Sequence, residues 1–135
     1  MILADTSGLL CLLDEGEPQH AEARAAVESD PGPLLTVDLV LAETDFLVRA
    51  RLGEAAAARF LDQVRGGALL REPFSDRDLE RATAILGQYA DQHFGLTDAA
   101  LMAVAERLRV PVLTLDRRHF GVFRRVDGHA LELLP

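Results

Sequence analysis

Short apolar runs alternate along this chain with longer stretches of helical period, the pattern of an α/β domain built on a mostly parallel sheet. The first run, Met1-Ile2-Leu3-Ala4, is too brief for a helix and drives straight into Asp5 and Thr6-Ser7-Gly8. A short helix through about Leu13 follows, then the turn Asp14-Glu15-Gly16-Glu17. Pro18 opens an alanine-rich amphipathic helix that ends near Ser29, where Asp30-Pro31-Gly32-Pro33 stops it. Leu34 to Val37 reads as a second strand, and Asp38 starts a helix reaching about Leu52. Gly53 separates that helix from the next, Glu54 to Arg65, which Gly66-Gly67 terminates. Ala68 to Arg71 is a third strand, and Ser75 with Asp78 forms a capping pair for a helix through about Ala90. Thr97 caps a helix from Asp98 to Arg109, Pro111 breaks it, and Val112 to Leu115 is a strand ending at Asp116. Ala130 to Leu134 alternates as a last edge strand.

Both the first strand and the strand before Asp116 deliver an aspartate at their carboxyl ends, where open α/β sheets collect their ligands. Other acids point the same way. Glu43 has apolar neighbours three and four residues away on both sides, Leu39, Val40, Phe46 and Leu47, which puts its carboxylate on the stripe expected to face the core. A buried charge needs an arginine partner, protonation or a metal. A Glu43–Arg49 bridge and a metal site are therefore both open for it. Asp98 stands in the first turn of its helix, where the dipole alone welcomes a carboxylate, yet Leu101 and Met102 on the same side turn it inward. Asp5 and Asp116 also read as turn or cap residues when each is taken alone. Taken together, carboxylates about 5 Å apart repel by roughly 3 kcal/mol per pair at an effective dielectric of about 20. A marginally stable domain does not absorb several such pairs without a compensating cation. Oxygen-only ligands favour Mg²⁺ or Mn²⁺. The histidines His20, His93, His119 and His129 have no zinc spacing and read as surface or packing residues, His119 alone near the proposed site.

Composition narrows the chemistry further. The chain has 135 residues, the length of a single domain able to bury roughly two-thirds of its unfolded surface. Its one cysteine, Cys11, lies in the apolar run Leu9 to Leu13 and reads as a buried small hydrophobe. All 14 basic residues are arginine, and the absence of lysine excludes a Walker P-loop and Schiff-base chemistry. A receiver-type phosphoacceptor site also needs a lysine. The net charge of −8 argues against a general nucleic-acid coat, although carboxylates that hold cations reverse the local sign. No run is long enough to span a bilayer and no basic leader precedes the first strand, so a cytoplasmic location is expected.

Asp5-Thr6-Ser7, Glu43 in Leu41-Ala42-Glu43-Thr44, Thr97-Asp98-Ala99-Ala100 and Thr114-Leu115-Asp116-Arg117-Arg118-His119-Phe120, in this order, resemble the PIN-domain nucleases, more narrowly the VapC toxins of bacterial toxin–antitoxin pairs. The resemblance runs from first strand to last, and every acidic position of the family pattern is filled. It implies a three-layer α/β fold and a Mg²⁺-dependent endoribonuclease that cuts structured RNA, tRNA or ribosomal RNA, to stop translation. Asp5, Glu43, Asp98 and Asp116 would hold one or two metal ions, with a carboxylate such as Glu43 helping to take a proton from the attacking water. Thr6 and Ser7 read either as helix caps or as hydrogen-bond partners of the metal-binding carboxylates. Without a histidine pair the 2′-hydroxyl route is disfavoured, and 5′-phosphate with 3′-hydroxyl ends are expected. Arg117, Arg118, Arg124 and Arg125 form the densest basic cluster, either an RNA grip or a solvated loop. Asp91 reads as solvated. A cognate VapB-like antitoxin and a homodimer are further expectations of the resemblance. A housekeeping RNA-processing nuclease and a non-catalytic interaction module on the same fold remain open alternatives.

Overall fold

A computed structural model describes residues Met1–Pro135. Its centre is a five-stranded sheet of very short strands: β1 (Ile2–Ala4), β2 (Leu34–Thr36), β3 (Leu70–Arg71), β4 (Val112–Leu113) and β5 (Leu133–Leu134). They lie in the order β3-β2-β1-β4-β5, and every pairing is parallel. The expected mostly parallel sheet is thus wholly parallel, the C-terminal edge strand included. β1 is buried along its whole length because it is the central strand, covered by helices on both faces. The edge strand β3 is exposed and only two residues long.

Seven helices cover the sheet: α1 (Thr6–Leu13), α2 (His20–Ser29), α3 (Asp38–Leu52), α4 (Glu54–Arg65), α5 (Asp76–Gln88), α6 (Leu96–Leu108) and α7 (Arg117–Val122). The helix α6 is the interior one. All residues from Ala99 to Ala105 are buried, so it is covered on every side, and its alanines permit close approach by neighbours. α5 packs along α6, whereas α1 and α4 flank α3. No helix is long and apolar enough to cross a membrane. Cys11 is fully buried, as its apolar run indicates.

Most boundaries fall within a few residues of expectation, and the departures have local causes. α2 begins at His20 rather than Pro18, after a turn in which His20 Nδ1 meets the Cys11 carbonyl at 2.8 Å. Gly53 (φ 92°) breaks the backbone between α3 and α4 as its position suggests. The Ser75–Asp78 capping box is present, but α5 ends at Gln88 and a 3₁₀ turn, Ala90–Gln92, follows. α6 is capped at Gly95, not Thr97, which moves Asp98 to the third helical position. β4 stops at Leu113 because the next amides are taken by side chains: Leu115 N–H donates to Ser7 Oγ (2.9 Å) and Asp116 N–H to Thr114 Oγ1 (3.0 Å). α7 was not foreseen from hydrophobic period. It starts where Asp116 Oδ1 accepts from the His119 backbone N–H at 3.0 Å.

α3 also corrects the reading of Glu43. Its buried face is Val40, Thr44 and Val48, one residue round from Glu43. Phe46, expected inside, is 70% exposed. Glu43 is exposed rather than on the core stripe, and Arg49 pairs with Asp45 and Glu54 instead of with it. The helix carries two apolar stripes, and its helical neighbours α1, α4 and α6 took the one of smaller, β-branched residues.

Candidate active site

The strand order changes direction between β1 and β4, and there the chain opens a cleft of about 280 Å³. Asp5, Glu43, Asp98 and Asp116 all line it, although they lie on four separate parts of the sequence. Asp5 follows β1, Asp116 lies just beyond β4, Asp98 is in the first turn of α6 and Glu43 projects from α3. Thr6 and Ser7 line the same cleft, as do Leu10, Leu47 and Leu115. So do Glu17, from the loop after α1, and Arg51, two turns beyond Glu43 on α3, both missed by the sequence reading.

Asp5 is the best-anchored acid, buried and held by hydroxyls. Ser7 Oγ donates to Asp5 Oδ2 at 2.8 Å, and Thr114 Oγ1 donates to the same oxygen at 2.9 Å. Each hydroxyl has a single proton to give. The 3.2 Å approach of Ser7 Oγ to Thr114 Oγ1 is therefore a consequence of their sharing Asp5, not a bond between them. The two oxygens accept from Leu115 N–H and Asp116 N–H in turn, which ties α1, β4 and the start of α7 around one carboxylate oxygen. Ser7 is thus a partner of the acid rather than a helix cap. Thr6 caps nothing either: Asp5 occupies the N-cap position, and Thr6 Oγ1 is buried without a partner.

A close approach makes this junction possible. A Cβ on Gly8 would fall 2.3 Å from the Leu113 carbonyl oxygen, so only glycine lets α1 lie this near β4. Thr36, in the neighbouring strand, donates its hydroxyl to the Ala4 carbonyl at 3.0 Å and braces β1 from the other side.

Asp98 and Asp116 share a different neighbour. His119 Nδ1 lies 3.2 Å from Asp98 Oδ2 and 3.1 Å from Asp116 Oδ2. An ionised carboxylate only accepts, so Nδ1 bonds these acids when it carries the ring proton. Phe94 meets the edge of the ring at 5.3 Å and sets its orientation. His119 is therefore part of the site and not a mere surface or packing residue. Its spacing three residues after Asp116, at a helix start, was the available signal. The Asp98 carboxyl is held above its ordinary range, first by burial and then by repulsion from Asp5, with Gly95 N–H and His119 opposing.

The basic cluster divides. Arg117 bonds the Pro135 carbonyl, and Arg124 donates to the Gly121 and Phe123 carbonyls at 2.7 and 2.8 Å. Arg125 sits 3.3 Å from Asp127 and lines a separate hollow with Glu106 and Arg109. Arg118 is exposed and unpaired. None of the four lines the acidic cleft.

The donors fit a hard divalent cation: every acid facing the cleft offers oxygen, no thiolate is present, and a buried Thr6 hydroxyl lacks a partner. In this conformation no three acidic or imidazole groups converge on one ligating point. The fold and cleft together define a parallel α/β protein with a carboxylate-lined site at its topological switch point.

Comparison with known proteins agrees. The PIN domain family pattern matches residues 2–128. Ribonuclease VapC26 of Mycobacterium tuberculosis is 36% identical over 135 residues, spanning 99% of this chain and 100% of that protein. Among solved structures, M. tuberculosis VapC20, described as a sarcin-ricin loop cleaving toxin, matches with a TM-score of 0.82 at 23% identity over 100% of both chains. A toxin–antitoxin complex from Klebsiella pneumoniae matches with a TM-score of 0.70 at 21% identity, over 100% of this chain and 97% of that one. The chain belongs to the PIN-domain family and, within it, to the VapC proteins.

Proposed function

We propose that this protein is a metal-dependent endoribonuclease, the toxin of a VapBC-type pair, and that its whole length is one nuclease domain. The observation that carries this reading is the gathering of Asp5, Glu43, Asp98 and Asp116 in one cleft, in a chain 36% identical to a ribonuclease. These four would hold Mg²⁺ or Mn²⁺. Bound there, such an ion supplies an acidified water and offsets charge on the leaving oxygen.

The remaining work falls to the chain itself. Ser7 and Thr114 occupy Asp5 Oδ2 and fix the carboxylate's orientation. His119 keeps Asp98 and Asp116 at a set separation. Glu43, exposed and without an ion pair, is the acid free to accept a proton from the attacking water. Exposed Arg118, beside Arg117 at the start of α7, meets phosphates of the incoming RNA; loss of both side chains in an Arg117→Ala, Arg118→Ala variant should weaken RNA affinity and flatten its salt dependence.

The substrate class is structured RNA, tRNA or ribosomal RNA. The VapC20 match supports ribosomal RNA, and the Klebsiella complex supports a VapB-like antitoxin as partner. We place the protein in the cytoplasm, as a homodimer, which sedimentation would check. The decisive test is sequencing of RNA ends after incubation with the purified protein, with Mg²⁺ or with chelator. Cleavage only with the metal, leaving 5′-phosphate and 3′-hydroxyl ends, is the expected result. Ends carrying 2′,3′-cyclic phosphate would reject the mechanism.

A further inference from the structure

Five carboxylates, Asp5, Glu17, Glu43, Asp98 and Asp116, face one cleft, and Arg51 is the only cation lining it. It occupies the same stripe of α3 as Glu43 and Leu47, eight and four residues earlier, and all three line the cleft. Of the 14 arginines, Arg24, Arg49, Arg65, Arg71, Arg81, Arg107 and Arg125 are ion-paired within the protein. Arg117 and Arg124 are bonded to carbonyls. That leaves Arg51, Arg59, Arg77, Arg109 and Arg118 without a partner, and of these only Arg51 faces the acids. An exposed guanidinium that stands among carboxylates yet closes on none of them keeps its donors for something else.

We infer that Arg51 binds a phosphate of the substrate RNA next to, rather than at, the bond that is cut. This rests on the ribonuclease reading above. Any polyanion entering the cleft is repelled by its walls, and the one guanidinium lining it supplies a local attraction. The planar guanidinium fork matches two phosphate oxygens at once. Eight residues of helix separate Arg51 from Glu43, about 12 Å along the axis at 1.5 Å per residue, so the phosphate it meets is a neighbour of the reacting one. Arg51 is accordingly a binding residue whose loss acts on KM.

The test compares the unaltered chain with Arg51→Ala, Arg51→Lys and Arg59→Ala. Arg59 is a second unpaired arginine, and it lines a different hollow. Binding of a fluorescently labelled, mixed-sequence single-stranded oligoribonucleotide is measured with Mg²⁺ present, in a Glu43→Gln background that stops cleavage. For Arg51→Ala we expect affinity to fall about tenfold at low salt and the slope of log K against log salt to lose about 0.7. Arg51→Lys should keep the slope while losing part of the affinity, and Arg59→Ala should change neither. In the cleaving background Arg51→Ala should raise KM about tenfold and leave kcat within about threefold. An unchanged affinity and slope in folded Arg51→Ala protein overturns the assignment, as does an equal effect of Arg59→Ala or a loss confined to kcat. If the unaltered chain neither binds nor cuts RNA with Mg²⁺, the ribonuclease reading fails and this inference with it. If it cuts RNA and Arg51→Ala behaves identically, only the Arg51 assignment fails.

Discussion

At the scale of single residues the site is a set of acids kept apart by different means. Asp5 accepts from two hydroxyl donors, whereas Asp98 has only a long bond from Gly95 N–H (3.4 Å) and its share of His119. Burial and the charge of Asp5 therefore act on Asp98 directly and hold its carboxyl above the ordinary range. A carboxyl whose folded pKa is raised favours the fold while protonated, and loses that contribution as pH rises through the folded value. Asp98→Asn should accordingly raise the melting temperature of metal-free protein at pH 7, by roughly 3 °C for a change of about 1 kcal/mol. The gain should shrink as pH falls into the ordinary carboxylate range, and RNA cleavage should be lost throughout. A melting series over pH in the presence of chelator reads the effect. A drop in stability at neutral pH would show that Asp98 is anchored better than its contacts indicate.

At the scale of elements, the site depends on how closely α1 approaches β4. Gly8 sets that distance, because a methyl group there would press on the Leu113 carbonyl. Gly8→Ala gains up to about 1 kcal/mol of helix propensity, but overpacking costs about 1–3 kcal/mol, so a net loss of stability is expected. The same shift would draw Ser7 away from Asp5 and from the Leu115 amide, whose bonds are 2.8 and 2.9 Å. Activity should therefore fall by more than the folded fraction does, which cleavage assays beside thermal melts would separate. Much of this level was legible beforehand. The delivery of Asp5 at the end of β1, the capping box of α5 and the glycine break between α3 and α4 follow from local chemistry. The face of α3 did not, since Val40-Thr44-Val48 and Leu39-Phe46-Leu47 are both plausible apolar stripes and only packing against α1, α4 and α6 chooses between them. α7 was hidden for a similar reason: six residues are too few to show a period.

At the scale of the whole molecule, charge is arranged unevenly. No acid of the cleft is paired with an arginine, while Asp78 on α5 and Glu106 on α6 each are. Asp78 is buried, accepting from Arg107 Nε at 2.8 Å and from Ser75 N–H at 2.9 Å, and Arg107 also reaches Glu72. Burial is the largest single influence on Asp78 and would raise its pKa, but Arg107 and Ser75 together outweigh it and hold the carboxyl below its ordinary range. A lowered carboxyl contributes stability above its unfolded pKa, about 3.9, and loses it as pH falls through the folded value. Because Arg107 is 41% exposed, the contribution is discounted for solvent to roughly 1–2 kcal/mol. Asp78→Asn should be less stable than the unaltered chain by that amount at pH 7 and nearly equal to it at an acid pH below the lowered folded value. Denaturant titrations at the two pH values check this, with RNA cleavage per folded molecule unchanged, since Asp78 lies outside the cleft.

The amino-acid sequence by itself singled out the four acids and placed Asp5 just after a strand and Asp98 at a helix start. Strand-to-acid junctions, caps and the absence of lysine are local features, and short-range sterics and hydrogen bonding settle them wherever the chain goes. Only the tertiary structure decided what surrounds those acids. Glu17, Arg51, Thr114 and His119 reach the site or its acids from four separate segments, and no spacing along the chain encodes a meeting across the sheet. Packing chose the buried face of α3, and with it sent Glu43 into the cleft rather than the core. The core faces compete for a limited area of neighbouring elements, a contest among all of them at once, so the sequence of any one of them does not contain the outcome.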